Sequence, residues 1–282
     1  MDAWVRPVIY CHKNAFLMIM DLRNRSIPVQ WAILMLRCVA GCFGVVIYGI
    51  AIHFIYRFFA LERNGRIRYF DRQYLPVWFM IPILGGFCWI TIDFYLLPMT
   101  PVFTEYMKEA IEIDLGMDIK QVVYSGALFY PTDASGRVYF NWRSGLGLVL
   151  FMTTMAIPFN VIIFIGAKSW TKIKTFPTSK YGQVLQMQLC KALAAQTLIP
   201  VTALFIPFSF AFLCPIFGVD CKILALGLNF VYALYPVVDP LPILFYVQSY
   251  RRVISGLFKC CGSAKVHVQE EDLTSRGANS LS

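Results

Sequence analysis

Long apolar runs separated by short basic segments constrain this chain more than any other feature. The first run begins near Gln30 and ends at Leu61, and within it only Arg37 and Arg57 carry a charge. A helix between these two arginines is about 30 Å long, which is the thickness of the hydrocarbon core of a bilayer. We therefore predict a transmembrane helix in which one arginine snorkels to each membrane face.

Five such runs have the length and composition of membrane spans. They cover about 31–60, 75–98, 144–167, 192–215 and 223–248. Charged residues make up only 15% of the chain, whereas soluble domains carry about 25%. The sequence thus predicts an all-α membrane protein, a helical transmembrane bundle with five spans. Prolines inside the last three runs predict kinks, which buried spans tolerate.

Basic residues are distributed unequally between the connecting segments. Fourteen lie in 62–74, in 168–191 and after residue 248, against nine in the other connections. The positive-inside rule places the first group in the cytoplasm, so the N-terminus is expected outside the plasma membrane and the C-terminus inside. The glycosylation sequon at Asn24 fits this orientation. The net charge of +9 is attributed to the lipid surface, and no nucleic-acid partner is expected.

A motif at the end of the first run identifies a family. Residues 53–61 read His-Phe-Ile-Tyr-Arg-Phe-Phe-Ala-Leu. This string resembles the cytoplasmic end of the third span in the nematode Str-like serpentine chemoreceptors, which are seven-span G-protein-coupled receptors. It stands where rhodopsin-like receptors carry Asp-Arg-Tyr. The resemblance implies that His53, Tyr56 and Arg57 couple the receptor to its G protein.

A second motif lies in the last run. Residues 235–246 read Tyr-Pro-Val-Val-Asp-Pro-Leu-Pro-Ile-Leu-Phe-Tyr, which resembles the last span of the same family. The resemblance implies a switch region of Asp239, Pro240 and Tyr246 in place of the rhodopsin-like Asn-Pro-x-x-Tyr. The pattern departs at Ile243, which occupies the tyrosine position. An ionisable Asp239 inside a span should face the bundle interior.

The apolar runs and the polar ends also predict how the chain is organised. Residues 1–30 form an extracellular segment, 31–259 form the bundle with a cytoplasmic amphipathic helix, and 260–282 form a disordered tail. Cys260 and Cys261 follow the amphipathic segment directly and are palmitoylation candidates. The chain resembles a family member that begins after its second span. Truncation without signalling activity therefore stays an alternative.

The function implied by the family is that of a chemosensory, odorant-like receptor. Its partners are a small-molecule ligand, a heterotrimeric G protein and membrane lipid, and no cofactor is expected. The segment 99–143, with a predicted surface helix over 103–115, either caps the ligand site or is an acidic solvated linker. It contains no cysteine, so the usual disulfide to the third span cannot form. Polar candidates for the pocket are Gln196, Thr197, Asn229, Tyr232 and Tyr235.

Other functions would require specific residues in specific places. A transporter or channel remains open, although the sequence contains no internal repeat. An aspartyl protease would need Asp93 and Asp239 at one depth, and their predicted depths differ, so no enzyme is expected. His12, His53 and His267 lie far apart in the predicted topology, and no metal site is expected. A disulfide between Cys214 and Cys221 stays open.

Overall fold

The computed structural model describes residues 5–23, 25–62, 66–133, 135–175, 180–238 and 240–242. Its helices are α1 (Val29–Glu62), α2 (Leu75–Leu96), α3 (Pro101–Leu115), α4 (Trp142–Thr175), α5 (Lys180–Pro200), α6 (Ile206–Leu213) and α7 (Lys222–Val238). The strands are β1 (Val8–His12), β2 (Ala15–Asp21) and β3 (Val122–Leu128).

Four helical segments of the described chain are long and apolar enough to cross a membrane. They are Val29–Glu62, Leu75–Leu96, Trp142–Ile173 and Gln186–Phe217, and a shorter apolar helix covers Lys222–Tyr235. Each of the five overlaps one of the predicted runs. The α7 helix is described only as far as Val238, so the count of five spans stays a prediction.

Glycines allow α1 and α2 to pack with their backbones almost in contact. Gly41 and Gly44 of α1 face Gly85 and Gly86 of α2, and all four are buried. A Cβ atom added at Gly86 would lie 2.5 Å from Val45 Cγ2 and 2.8 Å from the backbone oxygen of Gly41. Small residues permit this close approach, on which helix association in a membrane depends.

Replacing Gly86 by alanine is expected to destabilise the bundle, because a backbone oxygen has to move away from the new methyl group. Overpacking of this kind costs about 1–3 kcal/mol. Gly49→Ala on α1 is the matched control, since its Cβ would meet nothing within 4 Å. Thermal unfolding in detergent should separate the two variants. Equal melting temperatures would contradict the close α1–α2 contact.

A three-stranded antiparallel sheet, which the sequence did not predict, covers one end of the helices. The β1 and β2 strands form a hairpin in which His12 pairs with Ala15. The β3 strand comes from the segment 99–143 and pairs with β2 over seven residues, from Ala15–Leu128 to Asp21–Val122. We call the end of the bundle beneath this sheet the sheet end. The opposite end, where α1 finishes, is called the far end.

Both faces of the sheet are buried. Leu17, Ile19 and Tyr124 point toward α3 and pack with Met107 and other α3 residues. The alternate residues, including Phe16 and Ala127, point toward the helices of the bundle. The sheet is thus a layer between the surface helix α3 and the membrane helices, and this arrangement positions β3 above the bundle interior. The predicted surface helix over 103–115 is observed as α3.

The fourth membrane-length segment is not a uniform helix. The α5 helix ends at Pro200, a π-helical turn covers Val201–Phe205, and α6 continues from Ile206 with Pro207 in its first turn. Prolines and π turns are ordinary causes of a helix bend. The predicted irregularity of this span is therefore observed, and it lies beside the cavity described next.

Candidate functional site

An apolar cavity of about 40 Å³ lies between the sheet and the helices at the sheet end. Its walls come from the hairpin, β3, α1, α2, α4, α6 and α7. Phe16, Phe43, Phe208 and Phe212 supply aromatic surface. One water needs about 10–15 Å³ measured in this way, so the cavity has room for an occupant of a few heavy atoms.

Two of the predicted pocket residues, Asn229 and Tyr232, line this cavity. The Asn229 amide also holds the edge of the sheet. Its Oδ1 accepts the backbone N–H of Ile9 at 2.8 Å, and its Nδ2 donates to the Ile9 oxygen, also at 2.8 Å. These bonds satisfy backbone groups that an edge strand leaves unpaired. Asn229 therefore ties β1 to α7 in addition to lining the cavity.

The other predicted pocket residues are placed differently. Gln196 and Thr197 lie on α5, with Thr197 buried, and Tyr235 lies on α7. None of the three is among the residues that line the cavities described for this part of the chain. Their role in ligand binding stays a prediction.

Asp93, which lines the cavity, forms a buried ion pair with Arg37 that was not predicted. Arg37 Nε lies 3.4 Å from Asp93 Oδ2, and the side chains are 14% and 6% exposed. The Arg37 guanidinium also sits 4.6 Å from the centre of the Phe94 ring. The prediction that Arg37 snorkels to the membrane surface is therefore wrong. Opposite charges on two predicted neighbouring spans were the signal available in the sequence.

The same carboxylate connects the helices to the sheet. Ser125 Oγ of β3 donates to Asp93 Oδ1 at 2.5 Å and also lies 3.0 Å from the Leu97 oxygen. A charge-assisted bond of this kind is stronger than one between neutral groups. The arrangement links α1, α2 and β3, which is the connection that a disulfide to the segment 99–143 would otherwise supply.

A second polar network joins the sheet and α3 to the start of α7. Asp114 accepts hydrogen bonds from Lys222 Nζ, at 2.5 Å, and from the Tyr10 hydroxyl. The Lys222 ammonium, followed by the Tyr10 hydroxyl, holds the pKa of the Asp114 carboxyl below its ordinary value. His12 stacks on Tyr10, and burial lowers its pKa. The sheet and α3 are therefore attached to α7 at two places, through Asn229 and through Lys222.

Cysteines also gather at the sheet end. Cys11, Cys214 and Cys221 are free thiols in the structure. Burial is the main cause that raises the pKa of the Cys11 thiol to about 12, and the nearby Cys221 and Cys214 add to it. The disulfide between Cys214 and Cys221 that the sequence left open is not formed in the structure. Within the described residues no group of three His, Cys, Asp or Glu side chains is arranged to hold a metal ion.

The far end presents the residues of the first motif. His53, Tyr56 and Arg57 are all exposed on the last turns of α1. The Tyr56 ring packs edge to face on the Phe70 ring, with 5.2 Å between the ring centres. The Phe70 ring stacks on Trp78, with 4.3 Å between the ring centres. No carboxylate in the described parts of the chain lies within ion-pairing distance of Arg57.

The acidic side chain of Glu62 at the end of α1 is engaged by other cations. Glu62 lies 3.1 Å from Arg66 and 3.4 Å from Lys172. These contacts connect α1 to the following turn and to α4. The far end therefore combines a fixed acidic residue with an exposed Arg57 that is available to a partner.

Several predicted sites fall outside the described residues. They are Asn24, Asp239, Tyr246, Cys260 and Cys261. Pro240, which follows Asp239, is exposed. The switch region, the glycosylation site and the palmitoylation sites therefore stay predictions.

The fold and the cavity define a class of protein before any relative is considered. Apolar membrane-length helices, covered at one end by a sheet with a small cavity beneath it, indicate a multi-pass membrane protein. The chain belongs to the family described as serpentine type 7TM GPCR chemoreceptor Str, whose model matches residues 1–255. The family suggested by the two motifs is therefore confirmed, and so is the G-protein-coupled receptor class of the bundle.

Curated relatives carry the same kind of name. The chain is 28% identical to serpentine receptor class r-10 of Caenorhabditis briggsae, over 98% of this chain and 80% of the relative. It is 27% identical to serpentine receptor class r-10 of Caenorhabditis elegans, over 96% and 79%. It is 24% identical to G-protein coupled receptor str-217 of Caenorhabditis elegans, over 100% and 83%. No solved structure matches the chain.

Proposed function

We propose that this receptor binds a small chemosensory ligand in the cavity at the sheet end and activates a heterotrimeric G protein through the far end. The cavity is the observation that carries the proposal. Its walls belong to the sheet and to five helices, so an occupant lies where these elements meet. A ligand that fits one packing of these helices better than another shifts the balance between the two packings.

The far end supplies a surface for the G protein. Arg57 is exposed there, and the first motif suggests it as the coupling residue. Arg66 and Lys172, which contact Glu62, add positive charge at the same end of α1. A basic, partly aromatic surface at the end of a movable helix suits a protein partner that carries acidic groups.

Filling the cavity should block the response to ligand. Ala40 lines the cavity and is 9% exposed, so phenylalanine at this position places a ring in the space of the occupant. In cells challenged with a panel of small alcohols, ketones and esters, Ala40→Phe should lose second-messenger signalling at unchanged surface level. Ala156→Phe on an exposed part of α4 is the control. A normal response of Ala40→Phe would place the ligand elsewhere.

We also propose that the sheet end faces the outside of the plasma membrane. The distribution of basic residues supports this orientation. The sequon at Asn24 should then carry a glycan, which a glycosidase removes with a gel shift that Asn24→Gln lacks. A sequon introduced into the segment 168–191 should stay unmodified. Glycosylation of the introduced sequon, and not of Asn24, would show that the orientation is the opposite of the proposed one.

A further inference from the structure

A larger cavity opens at the sheet end where α2, α3, β3 and α4 meet, and we call it the α2–α4 cavity. Its volume is about 220 Å³, against about 40 Å³ for the cavity beneath the sheet. One water needs about 10–15 Å³ on the same measure, so there is room for a phosphate-sized group. None of its lining residues, all in the described part of the chain, carries a carboxylate. Its polar lining residues are Thr100, Tyr139, Asn141, Arg143 and Ser144.

One of these residues, Asn141, holds the wall of the α2–α4 cavity in place. Its Nδ2 donates to the Leu128 oxygen at 3.1 Å and to Ser144 Oγ at 3.0 Å. Its Oδ1 accepts the backbone N–H of Arg143 at 3.2 Å. These bonds fix the end of β3 against the start of α4. The wall is therefore formed before any occupant arrives.

Arg143 and Tyr139 supply the donors for an occupant. Both line the α2–α4 cavity, and both are exposed. Arg143 Nη2 donates to the Tyr95 oxygen at 2.7 Å, and no carboxylate among the described residues lies within ion-pairing distance of it. A guanidinium carries several further N–H donors, whose planar fork matches the oxygens of a phosphate. The cavity therefore favours an oxygen-rich anionic group.

The α2–α4 cavity lies at the level where hydrocarbon meets lipid headgroups. The bond from Arg143 to Tyr95 places the start of α4 beside the end of α2. Trp142 and Tyr95 are exposed there, and such aromatic residues are typical of a membrane interface. Leu146 and Leu150 follow on the Arg143 face of α4, one and two turns toward the other membrane face, and both are exposed. A polar cavity is thus continuous with a lipid-facing apolar surface.

We infer that the α2–α4 cavity binds the phosphate of a membrane glycerophospholipid. The phosphate oxygens accept from Arg143 and Tyr139, and the acyl chains lie along the exposed apolar residues of α4. The first turn of α3, which also lines the cavity, adds the partial positive charge of a helix N-terminus. The site is separate from the cavity proposed for the chemosensory ligand and does not depend on that proposal.

The test is a lipid titration of the full chain, purified in detergent and observed by native mass spectrometry. The probes are phosphatidylcholine, phosphatidylglycerol and a diacylglycerol with the same acyl chains. Both phospholipids should bind about tenfold or more tightly than the diacylglycerol, which is the effect of one hydrogen bond to a charged group. Equal binding of all three would overturn the inference. Inorganic phosphate at the same concentration should not displace the phospholipid, and displacement would show a site for a free anion instead.

Arg143→Gln should weaken phospholipid binding about tenfold, toward the level of the diacylglycerol. The matched control is Arg137→Gln, because Arg137 is exposed in the same segment and does not line the α2–α4 cavity. Diacylglycerol binding should stay the same in both variants. If Arg143→Gln binds phospholipid as tightly as Arg137→Gln does, the inference is wrong.

Two conservative variants keep the test decisive if Arg143→Gln fails to fold, which its melting temperature without lipid reveals. Arg143→Lys keeps the charge without the planar fork and should bind phospholipid with intermediate affinity. Tyr139→Phe keeps the ring, removes the hydroxyl donor and should weaken binding severalfold. Unchanged phospholipid binding by both variants would contradict the assigned site.

Discussion

Arg57→Ala should reduce activation of the G protein by at least about tenfold, the effect of losing a charge-assisted contact to the partner. The surface level of the receptor should stay nearly unchanged. Arg57 is exposed on α1, and exposed charges contribute little to stability. The expected loss is therefore one of coupling and not of folding. A second-messenger assay normalised to surface expression measures both quantities.

The surroundings of Arg57 also predict the activity without ligand. In rhodopsin-like receptors an acidic residue precedes the corresponding arginine, whereas Tyr56 precedes it here. Among the residues that the structure describes, Glu62 is engaged by Arg66 and Lys172 and does not pair with Arg57. Without an ionic partner, the inactive packing is stabilised less. We expect measurable basal signalling, which Arg57→Ala removes.

The control for this experiment follows from the structure. Arg37 is unsuitable, because it belongs to a buried ion pair. Arg72 is an exposed basic residue in the connection between α1 and α2, and Arg72→Ala changes the net charge by the same amount. Signalling by Arg57→Ala at the level of Arg72→Ala and of wild type would mean that the first motif has no role in coupling.

Asp93→Ala should be among the most destabilising single substitutions in the chain. It leaves the Arg37 charge buried without its partner, which costs about 3–5 kcal/mol, and it removes the acceptor of Ser125. Unfolding in mixed micelles with increasing SDS measures the change. Glu105→Ala, an exposed carboxylate on α3, should differ from wild type by less than about 0.5 kcal/mol.

A double substitution distinguishes the effect of losing the Arg37–Asp93 ion pair from the effect of losing the carboxylate that Ser125 bonds. Arg37→Met with Asp93→Leu removes both charges and keeps apolar volume, and such replacements are often neutral or stabilising. The double variant should therefore recover most of the stability that Asp93→Ala loses, although the bond from Ser125 stays absent. If the double variant is as unstable as Asp93→Ala, the stability at this position depends on the link to β3 and not on the ion pair.

Much of the helical part of this fold follows from local sequence. The runs around 31–60 and 75–98 contain few charges over a length that spans a bilayer. A backbone in hydrocarbon has to satisfy its hydrogen bonds within the segment, so such runs become helices. Arg57 could be placed at a helix end for the same reason, and its motif supplied the family.

The sheet could not be predicted in this way. The apolar run from Ala15 to Met20 is short, and short apolar runs do not distinguish a buried strand from part of a helix. Its strand character depends on β3, which lies about a hundred residues later in the chain. With α3 on one face and the bundle on the other, the run does not alternate with polar residues as a half-buried strand would.

The sequence by itself determined the membrane class, the course of the apolar helices and the family, because these depend on residue type and spacing within one segment. Only the tertiary structure decided which polar groups meet. It pairs Arg37 with Asp93, directs Ser125 to the same carboxylate, and leaves the indole nitrogen of Trp89 without a hydrogen-bond partner among the residues described. These contacts join segments far apart in the chain, and their geometry follows from how helices and sheet pack and not from local preference.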